Sequence, residues 1–256
     1  METIINTDNT LNTENTIIDN TNSDILHTLH TISNIINDIN NKEISTETII
    51  TDEMNKFINI IKETYELYIK HGPRSNISVN YFHTYIKNEL IKIFNKPDYS
   101  VMLEYNVNST NSSGIKKCDI VILKSNIPYI IFPVKIIKSN YKQNKNNSWE
   151  NLTGELQHLI WANENIKIIP INIFMNKTPY LKSNKKIQKF ENITINDISI
   201  YKLLLSKNIA YDIINYIILV AHNNIINENF DKSPNILGFD STTPFRSLFD
   251  VVKELL

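Results

Sequence analysis

Apolar residues recur along this chain with two different periods, and the points where the period changes divide it into elements. Over 53–71, Phe57, Ile60, Ile61, Tyr65, Tyr68 and Ile69 fall mostly three or four residues apart, the stripe of an amphipathic helix. Thr51–Asp52 offers a cap before it and Gly72–Pro73 stops it. A second helix is expected over 79–94. Three runs of strand character follow, at 100–107, 115–123 and 128–137. After a polar loop at 138–147, Ser148 can cap a helix reaching residue 162 that buries Trp149, Leu152, Leu156, Leu159 and Ile160. The segment IKIIPINIF (166–174) is nearly all apolar, as expected of a parallel strand buried on both faces after a crossover helix, although Pro170 removes one ladder N–H. Farther along, the pattern predicts a short strand at 187–190, helices at 197–205 and 211–223, and a terminal helix at 244–255. The order helix, strand, strand, strand, helix, strand, with helical additions, gives an α/β domain over 49–256: a mixed central sheet flanked by helices.

Residues 1–48 read differently. Asn, Thr, Ile and Asp dominate them, the composition of a low-complexity, partly disordered arm. Ile25, Leu29, Ile32, Ile36 and Ile39 make a heptad seam two repeats long. It is too short and too poor in helix formers to stand alone, so it is expected to dock on the domain or pair with a second copy. No signal peptide is visible at the N-terminus, and no apolar run approaches the roughly 20 residues that cross a bilayer. The single cysteine, Cys118, rules out an internal disulfide framework. These features predict a non-secreted, intracellular protein (cytoplasm or nucleus) with no membrane association.

The net charge of −1 conceals an asymmetry. Residues 1–50 hold one base and eight acids, leaving +6 on the remainder. Between 115 and 145 there are seven lysines (116, 117, 124, 135, 138, 142 and 145) and one acid, Asp119. A cleft for a polyanion needs such a field, and solvated lysines on a hairpin and loop are the plainer alternative. Other chemistry finds no support. One cysteine and six scattered histidines (27, 30, 71, 83, 158 and 222) make no zinc pattern. Four glycines leave no phosphate-cradling loop, and there is no Gly-x-Ser-x-Gly elbow.

The richest segment is CDIVILKSNIPYIIFPVK, residues 118–135. It reads as a β-hairpin in which residues summing to about 252 face each other, with a turn at 125–127. Asp119 then stands opposite Pro133, two positions before Lys135. Alternation puts Val121, Leu123, Ile131 and Lys135 on the face of Asp119, and Ile120, Ile122, Phe132 and Val134 on the other. A lysine ending an apolar strand needs a carboxylate or phosphate partner, because burying an unpaired charge is costly. An acid and a lysine on adjacent strands can hold a metal and orient a water.

This arrangement, over roughly 53–175, resembles the PD-(D/E)XK nuclease superfamily. There an acid on the second strand and an acid-x-Lys on the third bind Mg²⁺ and position the attacking water. Pro133 stands where that family carries its second acid. The chain is similar in this respect to a branch of type II restriction endonucleases in which a glutamate from the following helix reaches back into the same space. Glu150 in SNYKQNKNNSWENL, with fourteen residues between it and Lys135, is the matching candidate; Glu155 is a second, and Glu104 on the first strand a further accessory acid. The resemblance implies a restriction-endonuclease-like core and a Mg²⁺-dependent DNA endonuclease. Asp119, Glu150 (or Glu155) and the Val134 carbonyl would hold Mg²⁺, and Lys135 would act on the water. Lys138, Lys142 and Lys145, with Lys116 and Lys117 nearby, would contact DNA phosphates, and a homodimer would supply two sites for two strands. The alternative is a catalytically inactive nuclease-fold protein that binds nucleic acid or serves as an interaction module.

Overall fold

The hairpin expected at 118–135 is present, and the fold grows outward from it. The chain divides into two compact units, Met1–Glu53 and Met54–Leu256. The computed structural model describes residues 31, 33–34, 51–72, 74–181, 187–221 and 235–256. Most of the acidic arm, including all five positions of its heptad seam, lies outside the described residues.

Helices α1 (51–71, with 54–71 in the second unit) and α2 (Ile77–Ile93) precede an antiparallel meander of β1 (Tyr99–Asn108), β2 (Ile115–Lys124) and β3 (Ile127–Phe132). Ile120 faces Phe132, Val121 faces Ile131 and Ile122 faces Ile130, each pair summing to 252 as expected. The turn is a residue shorter than expected. Ser125 and Asn126 alone form it, both at positive φ (51° and 64°), and a register shift between Ile122 and Leu123 absorbs the difference.

Pro133 ends β3 and the chain resumes as β4 (Val134–Ile137). Helix α3 (Tyr141–Ala162) then crosses over to β5 (Lys167–Ile168) and β6 (Ile171–Met175), which run parallel to β3 and β4. Pairing survives the proline break on each side: the Ile169 N–H donates to the Ile131 carbonyl (2.9 Å) and the Ile171 N–H to that of Pro133 (2.8 Å). A two-stranded hairpin, β7 (Lys177–Leu181) with β8 (Ile187–Asn192), and the short helices α4 (Ile195–Ile198) and α5 (Leu203–Ser206) come next. Strand β9 (Ile214–Ala221) is parallel to β6, and β10 (Asn235–Phe239) is antiparallel to β9. Helix α6 (Leu248–Val252) follows. The class is mixed α/β, with strand orders β1-β2-β3-β5 and β10-β9-β6-β4.

Two apolar cores cover the two sheet faces. Phe57, Ile61, Phe82, Ile86 and Leu90 of α1 and α2 pack on Ile120, Ile122, Ile130 and Phe132. Leu152, Leu156 and Leu159 of α3 pack on Val121, Leu123, Ile131 and Phe174. The face assignment for the aliphatic part of the hairpin therefore holds.

Four expectations need correction. The loop at 138–147 is mostly helix, because buried Tyr141 continues the α3 stripe by packing on Phe174 and donating its hydroxyl to the Asp197 carbonyl (3.0 Å). The helix expected at 211–223 is strand β9. An all-apolar run cannot be told from a buried helix by period, and here the β-branched content of INYIILVA decides. The helix expected at 197–205 breaks into single turns, and the one at 244–255 shrinks to α6, whose Ser247 cap accepts from the Asp250 N–H, plus a 3₁₀ turn. Among the described residues no helix is long and apolar enough to cross a membrane.

Candidate metal centre and basic cleft

Side-chain alternation slips by one residue in β1 and β2 at the same level. Along β1, Val101 and Leu103 face the α1–α2 layer, whereas Tyr105 and Val107 face α3. Along β2, Ile120 and Ile122 face the first layer and Cys118 the second. The slip falls between the pairs Leu103–Ile120 and Tyr105–Cys118, which leaves Glu104 and Asp119 as the displaced residues. Glu104 takes a left-handed backbone, φ 53°, a conformation that costs a non-glycine residue free energy. Both carboxylates are thereby freed from the regular pleat.

Asp119 lies at the fork where β3 gives way to β4. Proline has no N–H, and the next amide, Val134, donates to Asp119 Oδ2 at 2.8 Å. From the other side comes His83 of α2, only 3% exposed. One ligand atom each from His83, Glu104 and Asp119 lie within 4.8 Å of one another. Burial lowers the His83 pKa, against the opposing pull of Asp119 and Glu104. The imidazole is thus neutral at pH 7, the form that ligates metals.

This group could hold a metal ion. At bond lengths of about 2.1 Å, ligands on opposite sides of one ion lie about 4.2 Å apart, so sub-ångström side-chain movements bring all three into range. Glu104 is 47% exposed, and its only fixed partner among the described residues is Lys117 (2.9 Å), so it is free to make that adjustment.

Lys135 stands elsewhere on the same fork. Its register partners are Asn172 on β6 and, beyond that, Asn215 on β9, and the buried Asn172 amide donates to Asn215 Oδ1 (2.9 Å). Val134 and Ile136 pack toward α1–α2 and Ile137 toward α3, which places Lys135 on the α3 face by alternation. Burial lowers its pKa and Glu155 raises it. Among the described residues Lys135 forms no ion pair, so the expected Asp119–Lys135 pair is not made; the slip at Asp119 is the reason.

The acids proposed from α3 are separated by the helix. Glu155 turns toward the sheet and pairs with Lys116 (3.0 Å), whereas Glu150 is exposed. Neither belongs to the metal-binding group, whose second acid is Glu104. The lysines divide as well. Lys117 pairs with Glu104, Lys145 lies 3.9 Å from Asp197, and Lys142 is exposed in the first turn of α3. Lys138, in the short connection between β4 and α3, is not a solvated lysine. It is 7% exposed, its Nζ donates to Ser78 Oγ (3.1 Å) and sits 4.6 Å from the centre of the Tyr68 ring, and burial pushes its pKa down to about 8. Lys135 and Lys138 line a common cleft of about 310 Å³.

Sequence reasoning passed over His83. The signal was present: Phe82, Ile86 and Leu90 define the inner stripe of α2, and His83 falls within it. A lone titratable residue in an apolar stripe must find a polar partner. Comparison of the chain with protein-family models, with curated proteins and with solved structures gives no match in any of the three.

Proposed function

We propose that this chain is a divalent-metal-dependent nuclease of the restriction-endonuclease-like class, acting on DNA. The observation that carries the reading is the meeting of His83, Glu104 and Asp119 at the fork beside Pro133, with Lys135 two residues farther along β4. The meander β1–β2–β3, the crossover helix α3 and the parallel strands that follow support the same reading, with the acid on the second strand and the lysine on β4, which resumes the chain after β3.

His83, Glu104 and Asp119 would hold the ion, with Val134 fixing the Asp119 carboxylate through its amide. A divalent ion bound there supplies a Lewis acid next to the scissile phosphate and makes water acidic enough to be a nucleophile at neutral pH. Lys135 holds and orients that water, and its charge offsets the negative charge that grows on the phosphate oxygens. Burial lowers the Lys135 pKa and the Glu155 charge works against that lowering. Mg²⁺ is the ion implied by the family resemblance, but an imidazole in the ligand set favours Mn²⁺, because Mg²⁺ prefers oxygen alone. Among the described residues one chain carries one such group, so cutting both strands of a duplex calls for two copies.

Pro133 favours a second reading, a nuclease fold that binds nucleic acid without cutting it, because proline cannot supply the acid that this position usually provides. One assay separates the two. Purified protein is incubated with plasmid and with single-stranded DNA in Mn²⁺, Mg²⁺ or chelator. Cleavage that needs the ion and is lost in Lys135→Ala and Asp119→Asn supports the enzyme; salt-dependent binding with no cleavage under either ion supports the binding protein.

A further inference from the structure

The cleft that Lys135 shares with Lys138 lies beyond the metal-binding group and has its own chemistry. Its lining includes Ser75 and Ser78 at the start of α2, and Ser139, Asn140, Asn144 and Ser148 at the start of α3. Among the described residues two cations line it and no carboxylate does. Lys138 is more than nine-tenths buried, yet its partners are a hydroxyl and an aromatic ring, both neutral. A buried ammonium without a counter-ion is costly in an isolated chain, and a dianion entering the cleft would remove that cost.

The surroundings have the same polarity. The cleft lies at the N-terminal ends of two long helices, α2 of 17 residues and α3 of 22, and neither carries an acid in its first turn. Both therefore point partial positive charge toward it. One first-turn amide is already taken, since the Lys142 N–H donates to Glu191 Oε2 (3.0 Å), but Glu191 does not line the cleft. The hydroxyls of the four serines and the two asparagine amides provide neutral donors around the lysines. Such a set fits the several acceptor oxygens of a phosphate better than a carboxylate or a neutral ligand. The volume, about 310 Å³, is at the lower end of the range for small-molecule clefts and leaves room for a sugar attached to the phosphate.

We propose that this cleft is a phosphate-monoester site, separate from the metal-binding group and joined to it by Lys135. It rests on the nuclease reading only for its role in turnover: a terminal phosphate seated there would hold the strand end while the next phosphodiester lies at the fork, one helical turn along α2 from Val79 to His83. A free mononucleotide or inorganic phosphate offers the same chemistry from another source.

Binding measured in chelator, with no cleavage step, tests the site independently of catalysis. The full chain is titrated with inorganic phosphate, with a mononucleotide, and with short DNA strands bearing a 5′-phosphate, a 3′-phosphate or hydroxyl ends. The expected result is a gain of about tenfold or more in affinity for one phosphorylated end over hydroxyl ends, abolished in Lys138→Met and reduced in Ser78→Ala. Preference for the mononucleotide over any phosphorylated strand would identify the free nucleotide as the source. The Ser78→Ala variant retains the lysine and guards against a folding defect in Lys138→Met, and both are checked by their unfolding transitions. Equal affinity for phosphate in wild type and both folded variants would overturn the proposal even if metal-dependent cleavage were found. Phosphate binding lost in Lys138→Met would sustain it even if no cleavage were found.

Discussion

The backbone amide of Val134 donates to Asp119 Oδ2 at 2.8 Å, and Pro133 sets up that bond. The proline ends β3, so the first amide beyond it becomes available to the carboxylate at the fork. Asn at position 119 would keep an oxygen for this bond but lose the negative charge. Asp119→Asn is therefore expected to unfold within about 1 kcal/mol of wild type while losing metal binding and at least about a hundredfold in cleavage. Asp119→Ala should lose both, with an added stability cost of about 1–2 kcal/mol for the orphaned amide. Calorimetric metal titration alongside urea unfolding checks this; full metal affinity in Asp119→Asn would remove Asp119 from the ligand set.

In the proposed metal site, His83 would set which ion the group prefers. Replacing its nitrogen by an amide, His83→Gln, preserves size and polarity in a buried position. Mn²⁺ affinity is expected to fall by about tenfold or more and Mg²⁺ affinity by much less, so that the preference for Mn²⁺ narrows. Competition between the two ions, followed through the paramagnetism of Mn²⁺, gives the ratio directly. An unchanged ratio would mean that His83 is a satisfied core residue and no ligand.

Much of this was legible in the residues. The hairpin register, the two aliphatic faces of 120–123 and 130–132, and the crossover helix follow from alternation and heptad-like spacing, because local sequence sets them. The slip at Glu104 and Asp119 was not legible. Val101, Leu103, Tyr105 and Val107 are all odd-numbered and read as one continuous face, yet the structure divides them between two cores. That division comes from a left-handed Glu104, which is tertiary in origin and has no marker such as glycine. The same slip explains why Asp119 meets His83 and Glu104 rather than Lys135, so that the acid grouped with it lies on β1 and not on α3. β9 differs for the opposite reason: a largely buried strand with apolar residues on both faces carries little alternation to read.

Glu155 and Lys135 form the next test. Burial lowers the Lys135 pKa and the Glu155 charge raises it. If protonated Lys135 is the active form, cleavage is lost as pH rises through its pKa. Removing the Glu155 charge removes the raising influence, so the alkaline limb of the pH–rate profile should move to lower pH in Glu155→Gln. Lys116, the other partner of Glu155, lies on β2, and Lys116→Met serves as the control for loss of that pair alone. A profile that shifts equally in both variants would trace the effect to the structural pair rather than to Lys135.

Lys138 should cost the fold stability at neutral pH. Burial takes its pKa from 10.5 to about 8. Below pH 8 both folded and unfolded chains carry the proton, and the folded chain bears the whole cost of the buried charge. Between pH 8 and 10.5 the unfolded chain binds more protons, so stability rises with pH through that window, by at most about 3 kcal/mol. Lys138→Met has nearly the same length and no charge. It is expected to be more stable than wild type at pH 7 and to lack the rise between pH 8 and 10. Urea unfolding at pH 7 and pH 9.5 measures both. Adding phosphate at pH 7 should close the gap by stabilising wild type alone, since an anion in the cleft binds the charged folded form and raises its apparent stability by mass action. A Lys138→Met chain that is less stable than wild type at pH 7, with phosphate acting equally on both, would mean that the ammonium is satisfied within the fold and needs no anion.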